Sequence, residues 1–424
     1  MNKFIEVINM YRGMKKEVYI LVICMLINGI GNFVYPLLTI ILTDRVSLSS
    51  KKIGMIIMCF MIVQGVFMAL SGILIDRFGR KIMLQVFYSL GIISYLLCTV
   101  CKDGMFIFFL FLASGAFLSS TPIYNTLIGD YTDNSDRKEA FSLLYLANNI
   151  GYAIAPLLSG ILYANHIKLL FYLNSLFTFI SIVIFSIFIR EKHSNRKFHK
   201  VNNINKTETE TAIKTDKDTV IIRDEPTCNL LVFFKNTPIL IIGAFIVFFF
   251  QFGYSQWGFL LPMQLLSYFG KQGAEKYGIL GAVNGIAVIL ITPVLTIIFK
   301  KIRTSYNLAL GGILYATAFF MFSIAKDYSL FVIGIIIMTM GEIYVSINYQ
   351  VLIANNSDNR YRGRINSILS TITGGGLALG PVVIGYLEDF NYFLRWVIVS
   401  VVLILASLTL LAIEFINSKK VVNK

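Results

Sequence analysis

Twelve runs of roughly twenty or more mostly apolar residues divide this sequence, at 18–43, 52–75, 81–100, 105–128, 139–163, 168–189, 237–264, 276–299, 304–325, 328–354, 363–387 and 392–416. A helix needs about 20 such residues to cross the hydrocarbon of a bilayer. Inside lipid every backbone N–H and C=O must be satisfied by the protein, which restricts spanning segments to helices or to strands of a closed barrel. Barrel strands are shorter and alternate apolar with polar residues. These runs do neither, so the sequence predicts an all-α membrane protein with twelve transmembrane helices.

Composition supports the same solvent. The chain is 56% hydrophobic and only 14% charged, whereas a soluble domain carries about 25% charged residues. Lys15 and Lys16 precede the first run, and no small-residue cleavage site follows it. That run is read as the first membrane helix, not as a removable signal.

Basic residues give the orientation. With the N-terminus inside, the outer loops hold only Arg45, Lys51, Lys52, Lys102, Lys168, Lys271, Lys276, Lys326 and Arg395 of the 37 lysines and arginines. The expectation is a multi-pass protein of the cell membrane with both termini cytoplasmic. The net charge of +14 is then mostly inner-face bias, and no folded basic domain is left to bind nucleic acid. The one long polar stretch, 191–236, mixes both charge signs with Asn and Thr and reads as a linker. It separates a first six-helix half, 1–190, from a second, 237–424.

The halves resemble each other at a spacing of 225 residues. RKEAFSLLYLANNIGYAIAPLLSGIL, from Arg137, aligns with RGRINSILSTITGGGLALGPVVIGYL, from Arg362. Ser142 meets Ser367, Gly151 meets Gly376, Pro156 meets Pro381 and Gly160 meets Gly385. Pro36 and Pro262 hold similar places in spans 1 and 7. Repeated halves with a binding site between them are common among secondary transporters.

The loop between spans 2 and 3 reads SGILIDRFGRKIML. Its Gly72, Asp76, Arg77, Gly79, Arg80 and Lys81 fit G-x-x-x-D-R-x-G-R-K, and here the chain resembles the major facilitator superfamily. Gly79 suits a tight turn. Asp76 at the membrane boundary can pair with an arginine or a helix N-terminus. The resemblance implies that this loop gates the inner side, latching the outward-facing state. It also implies two pseudo-symmetric six-helix bundles that work by alternating access. The matching loop of the second half keeps Lys300, Lys301 and Arg303 but lacks the acid and the glycine.

Span 5 carries GYAIAPLLSG, similar to the G-x-x-x-G-P-x-x-G-G motif of drug:proton antiporters in that family. Gly151, Pro156 and Gly160 match, while Ala155 and Ser159 replace two glycines. Span 11 carries GLALGPVVIG with Gly380 and Pro381. Small residues let helices approach closely and proline loosens the local ladder. Span 4 lacks the intramembrane arginine that many antiporters of the group have there. The stretch GEIYVSINYQVLIANNSDNRYRGRINS also resembles span 10 and the next inner loop of drug exporters.

Polar residues at helical spacing mark candidate cavity walls. They are Asn28, Asn32 and Tyr35 on span 1; Ser114, Thr121 and Asn125 on span 4; Tyr145, Asn149 and Tyr152 on span 5; Gln251, Tyr254 and Ser255 on span 7; and Thr339, Glu342, Ser346 and Tyr349 on span 10. Glu342 is the only acid or base placed deep in any span. A carboxylate at mid-bilayer costs about 2.5–3.5 kcal/mol on insertion scales and usually faces the bundle interior or water. It can alternate between an ionised form that attracts a cation and a protonated form that releases it.

The first reading is therefore proton-coupled efflux of amphipathic or cationic small molecules, with Glu342 as coupling or substrate group. Proton-coupled uptake of a sugar, peptide or metabolite remains open, as does lipid flipping. No nucleophile–base constellation or ATP-binding motif suggests an enzyme. Five cysteines with one C-x-x-C pair (Cys98, Cys101) and three loop histidines offer no metal site, and no cofactor is expected. The expected partners of a monomeric chain are a small-molecule substrate, protons and the bilayer.

Overall fold

The computed structural model describes residues 13–133, 136–189, 233–235, 237–299, 302–357 and 362–422. The linker expected at 191–236 lies almost wholly outside the described residues. Twelve helices are long and apolar enough to cross a membrane: α1 Lys16–Asp44, α2 Ser50–Phe78, α3 Arg80–Cys98, α4 Gly104–Tyr131, α5 Glu139–Tyr163, α6 His166–Phe188, α7 Pro238–Phe269, α8 Gln272–Ile298, α9 Thr304–Ile324, α10 Tyr328–Asn356, α11 Ile365–Gly385 and α12 Tyr392–Ile416. The protein is a multi-pass membrane protein built from two pseudo-symmetric six-helix bundles.

Turns are made by identifiable residues. Gly79 joins α2 to α3 at φ 90°, ψ 157°, a backbone state that a Cβ disfavours. Helical structure runs on from α5 into α6, broken by non-helical angles at His166.

Besides a one-residue turn at Ser119 in α4, two spans expected to be single helices are interrupted. The first segment of α1 ends at Ile30, and helix resumes as a short 3-10 turn at Tyr35–Leu37. Oδ1 of Asn174, on α6, accepts hydrogen bonds from the buried N–H groups of Phe33 (3.1 Å) and Val34 (3.4 Å), which the break frees from the helix. The first segment of α7 ends at Tyr254, a 3-10 turn covers Ser255–Trp257, and helix resumes at Leu260. The two breaks fall at matching places in the repeat. Hydropathy does not register them because the residues inside them are still mostly apolar. Broken helices persist at membrane depth only where protein or a water-filled cavity meets their free backbone groups.

The repeat extends to contacts. In the first half a methyl group on Gly29 (α1) would come within 3.0 Å of Gly151 Cα (α5). In the second, Gly376 (α11) packs against the Phe248 backbone of α7. Between the halves, Gly160 (α5) lies on Ala274 and Glu275 of α8, and Gly278 (α8) lies on Pro156. Correspondingly, Gly385 (α11) lies on Ser50 and Lys51 of α2, and Gly54 (α2) lies on Pro381. Small residues at these points allow backbone-to-backbone approach, the main source of helix association in lipid.

All these contacts between halves lie toward the side away from the termini, here the far side. So do the hydrogen bonds that cross between halves among the described residues: Thr39 Oγ1 to Gly258 O at 2.5 Å, Ser50 Oγ to Met263 Sδ at 3.6 Å, and Lys51 N to Glu388 Oε2 at 3.0 Å. One buried cluster runs from Phe33, Ile41 and Phe171 of the first half into Phe250, Phe319 and Trp396 of the second. The terminus side of the first half has a separate cluster around Val18, Leu84 and Phe185. Among the described residues, ion pairs at that side stay within one half: Lys15–Asp133 at 3.0 Å, Arg80–Asp130, and Arg303–Glu414 at 3.2 Å.

Candidate functional site

Two polar centres lie among the helices. The first surrounds Glu342, midway along α10. Tyr254, the last residue before the α7 break, donates from Oη to Glu342 Oε1 at 3.1 Å. Asn284, on α8, donates from Nδ2 to Glu342 Oε2 at 3.1 Å and to Thr339 Oγ1 at 2.8 Å. Thr339, one turn before Glu342, gives its own proton to Ile335 O at 2.8 Å. Its oxygen is therefore left to accept, which fixes the amide orientation of Asn284.

Gly341 allows α9 to close over this centre. A methyl group there would stand 2.9 Å from Gly311 O and 3.0 Å from the Tyr315 ring. The Tyr315 ring lies 5.8 Å from that of Tyr254. No lysine or arginine pairs with Glu342 among the described residues. Both carboxylate oxygens thus accept from neutral donors. An ionised carboxylate accepts both bonds; a protonated one has to donate, and the Tyr254 hydroxyl can turn from donor to acceptor. The arrangement can hold either form without a second charged side chain.

The second centre is a cavity of about 190 Å³ in the first half, bordered by the α1 break. Asn28, Asn32, Tyr35 and Thr121, expected from sequence, all line it. Asn28 is already engaged, with Ser181 Oγ at 2.6 Å and Cys24 O at 2.9 Å. Ser114 and Tyr152, also expected, and Gln64, Ser120, Asn148, Asn174 and Thr178 share the polar wall, while Tyr88, Tyr95 and Phe117 supply rings. Phe117 lies 5.1 Å from Tyr95 and 6.0 Å from Tyr88 between centroids.

Several expected residues lie elsewhere. Asn125 is exposed outside this cavity. Asn149 donates to Tyr145 O at 2.9 Å, and its neighbour Asn148 faces the cavity instead. Gln251 is half-buried on α7, Ser346 is exposed, and Tyr349 is buried. Gly380 packs against Phe252 O and Ser255 of α7. The expected loop between spans 2 and 3 is largely helical: Gly72, Asp76 and Arg77 lie exposed in the last turns of α2, and Arg80, the first residue of α3, pairs with Asp130 at the end of α4. Sequence reasoning missed Asn284, Gln64, Asn148 and Asp130. The signal available for Gln64 and Asn284 was their isolation as polar residues within apolar spans.

A family model for the Major Facilitator Superfamily matches residues 21–381. The chain is 26% identical to the uncharacterized MFS-type transporter YttB of Bacillus subtilis (strain 168), over 97% of this chain and 98% of that protein. It is 28% identical to Multidrug resistance protein 1 of the same organism, over 39% of this chain and 43% of that protein. A crystal structure of the nucleoside transporter NupG superposes with a TM-score of 0.73 at 15% identity, covering 94% of this chain and 99% of that one.

Proposed function

Because the chain belongs to the Major Facilitator Superfamily, we propose that it is a secondary active transporter of the cell membrane, exporting amphipathic small molecules in exchange for protons. Alternating access moves a central site from one face to the other. The termini are cytoplasmic, so the far-side contacts close the outer face and the open side is the cytoplasmic one. Asp76 and Arg77 are then unclamped at the open side, in keeping with a loop that engages when the inner side closes. The 191–236 stretch tethers the two bundles.

The observation that carries the reading is the Glu342 centre. It is an acid placed midway along a membrane helix, hydrogen-bonded by Tyr254 of α7 and Asn284 of α8, the latter also held by Thr339, with no basic partner among the described residues. Such a group takes up a proton when one face is open and releases it when the other is, which is what exchange for protons needs. Partial similarity to a multidrug resistance protein and the Gly151–Pro156–Gly160 motif support export over uptake. The test is proteoliposomes holding the purified chain and an imposed pH gradient, with the amphipathic dye Hoechst 33342 as probe. Uphill dye movement that collapses with a protonophore supports the proposal; movement indifferent to the gradient contradicts it.

A further inference from the structure

The cavity in the first half has a chemistry distinct from that of Glu342. Asn32, Gln64, Thr121 and Asn148 border it, from four different helices. Gln64 meets Tyr35 through a side-chain hydrogen bond, while the side chains of Asn32, Thr121 and Asn148 bond to no other described residue. No aspartate, glutamate, lysine, arginine or histidine lines the space. Tyr35 and Tyr152 add rings with hydroxyls beside the amides.

Half-buried amides that face a cavity without a protein partner are met by water or by a ligand that matches them. Each amide offers two donors and an acceptor. A ligand that satisfies them carries both donors and acceptors. A flat ring stacks on the tyrosines. A net charge finds no counter-charge here, and a permanent cation without acceptors leaves the amide N–H groups unmatched, whatever it gains from the ring faces.

We propose that this cavity is the binding site for an uncharged molecule with a planar ring and several hydrogen-bonding groups, while ionic exchange is confined to Glu342. The inference rests on the transporter reading and narrows its substrate to neutral amphipathic compounds. Selectivity follows from the unmatched amides: a site built to hydrogen-bond its ligand discriminates strongly against analogues that cannot.

The test is thermal unfolding of the purified full chain in detergent with three probes. Adenosine and 4-nitrophenyl β-D-glucoside are neutral, planar-ringed and rich in hydrogen-bonding groups; tetraphenylphosphonium is a permanent cation with none. At least one neutral probe should raise the unfolding midpoint, with an apparent affinity roughly tenfold or more above that of the cation. The rise should vanish in Gln64→Leu and Asn148→Leu and weaken in Thr121→Ala, a milder variant that keeps the fold even if a leucine does not. Stabilisation by the cation alone, by no probe, or by a neutral probe equally in wild type and Thr121→Ala would overturn the proposal. Glu342→Gln should keep the neutral-probe shift. If that shift is intact while pH-driven dye transport is absent in the wild type, proton coupling fails and the cavity assignment survives. If dye transport is present while only the cation stabilises, the cavity assignment alone fails.

Discussion

Asn284 Nδ2 bridges Glu342 Oε2, at 3.1 Å, and Thr339 Oγ1, at 2.8 Å, tying the carboxylate on α10 to α8. The next residue, Gly285, meets Ala153 of α5 across the boundary between the bundles. The protonation state of Glu342 is therefore one side chain away from the α5–α8 contact that holds the far side closed. Asn284→Leu removes both donors while keeping bulk. Hydrogen bonds to charged groups contribute about 1.5–3 kcal/mol, so pH-driven transport should fall roughly tenfold or more. The pH profile of transport should also move; a merely structural role would lower the rate at every pH by the same factor.

Gly278 supports the same contact by a different means. A side chain there runs into the carbonyl of Pro156 and the Cα of Gly160. Gly278→Leu should open the α5–α8 seam and lower stability by about 1–3 kcal/mol, the usual range for overpacking. Thermal unfolding in detergent measures the loss. Transport should fall more than stability does, because every cycle has to re-form this contact. Wild-type turnover in Gly278→Leu would mean that the seam is not remade during transport.

Glu388 holds the opposite seam. Its Oε2 accepts from the N–H of Lys51, in the first turn of α2, at 3.0 Å. That bond, foremost, holds its carboxyl below the ordinary carboxylate range; Ser49 and the positive charges of Lys51 and Arg395 act in the same direction, and partial burial opposes them. Arg395 also donates to Glu388 O and to Phe390 O. Asp389 is the neighbouring acid, and Lys51 rests on the Tyr386 ring at 4.3 Å. A group whose pKa is depressed in the closed form stabilises that form above the ordinary value, about 4.3, and stops doing so as pH falls through the depressed value. Acidifying the far side below about pH 4 should therefore loosen closure, and Glu388→Gln should remove that dependence. Pulsed spin-label distances between Lys52→Cys and Asp389→Cys, in a cysteine-free background, report it.

The fold was largely legible because runs of bilayer-spanning length are a strong one-dimensional signal. Gly151, Pro156 and Gly160 identified α5 as a packing helix, although their partners, Gly29 on α1 and Ala274 and Gly278 on α8, were not visible in the sequence. The breaks in α1 and α7 were hidden because Gly31–Val34 and Ser255–Phe259 are still largely apolar. What breaks α1 is partly a distant side chain, Asn174, and a hydropathy window has no means of seeing it. Glu342 stood out as a lone carboxylate in lipid. Asn284 did not, because one asparagine in an apolar helix has many uses and only the α8–α10 packing selects this one. Asn149 and Asn148 differ by a single helical step of about 100°, enough to move the cavity-facing role from one to the other.

Proton coupling by Glu342 is tested most directly by Glu342→Gln in proteoliposomes, with uphill and downhill Hoechst 33342 transport measured side by side. Glutamine keeps the shape and can still bond Tyr254 and Asn284, but it neither binds nor releases a proton. Downhill counterflow should persist, while uphill movement under an imposed pH gradient disappears. Uphill transport by Glu342→Gln with the pH dependence of the wild type would contradict Glu342 as the coupling group.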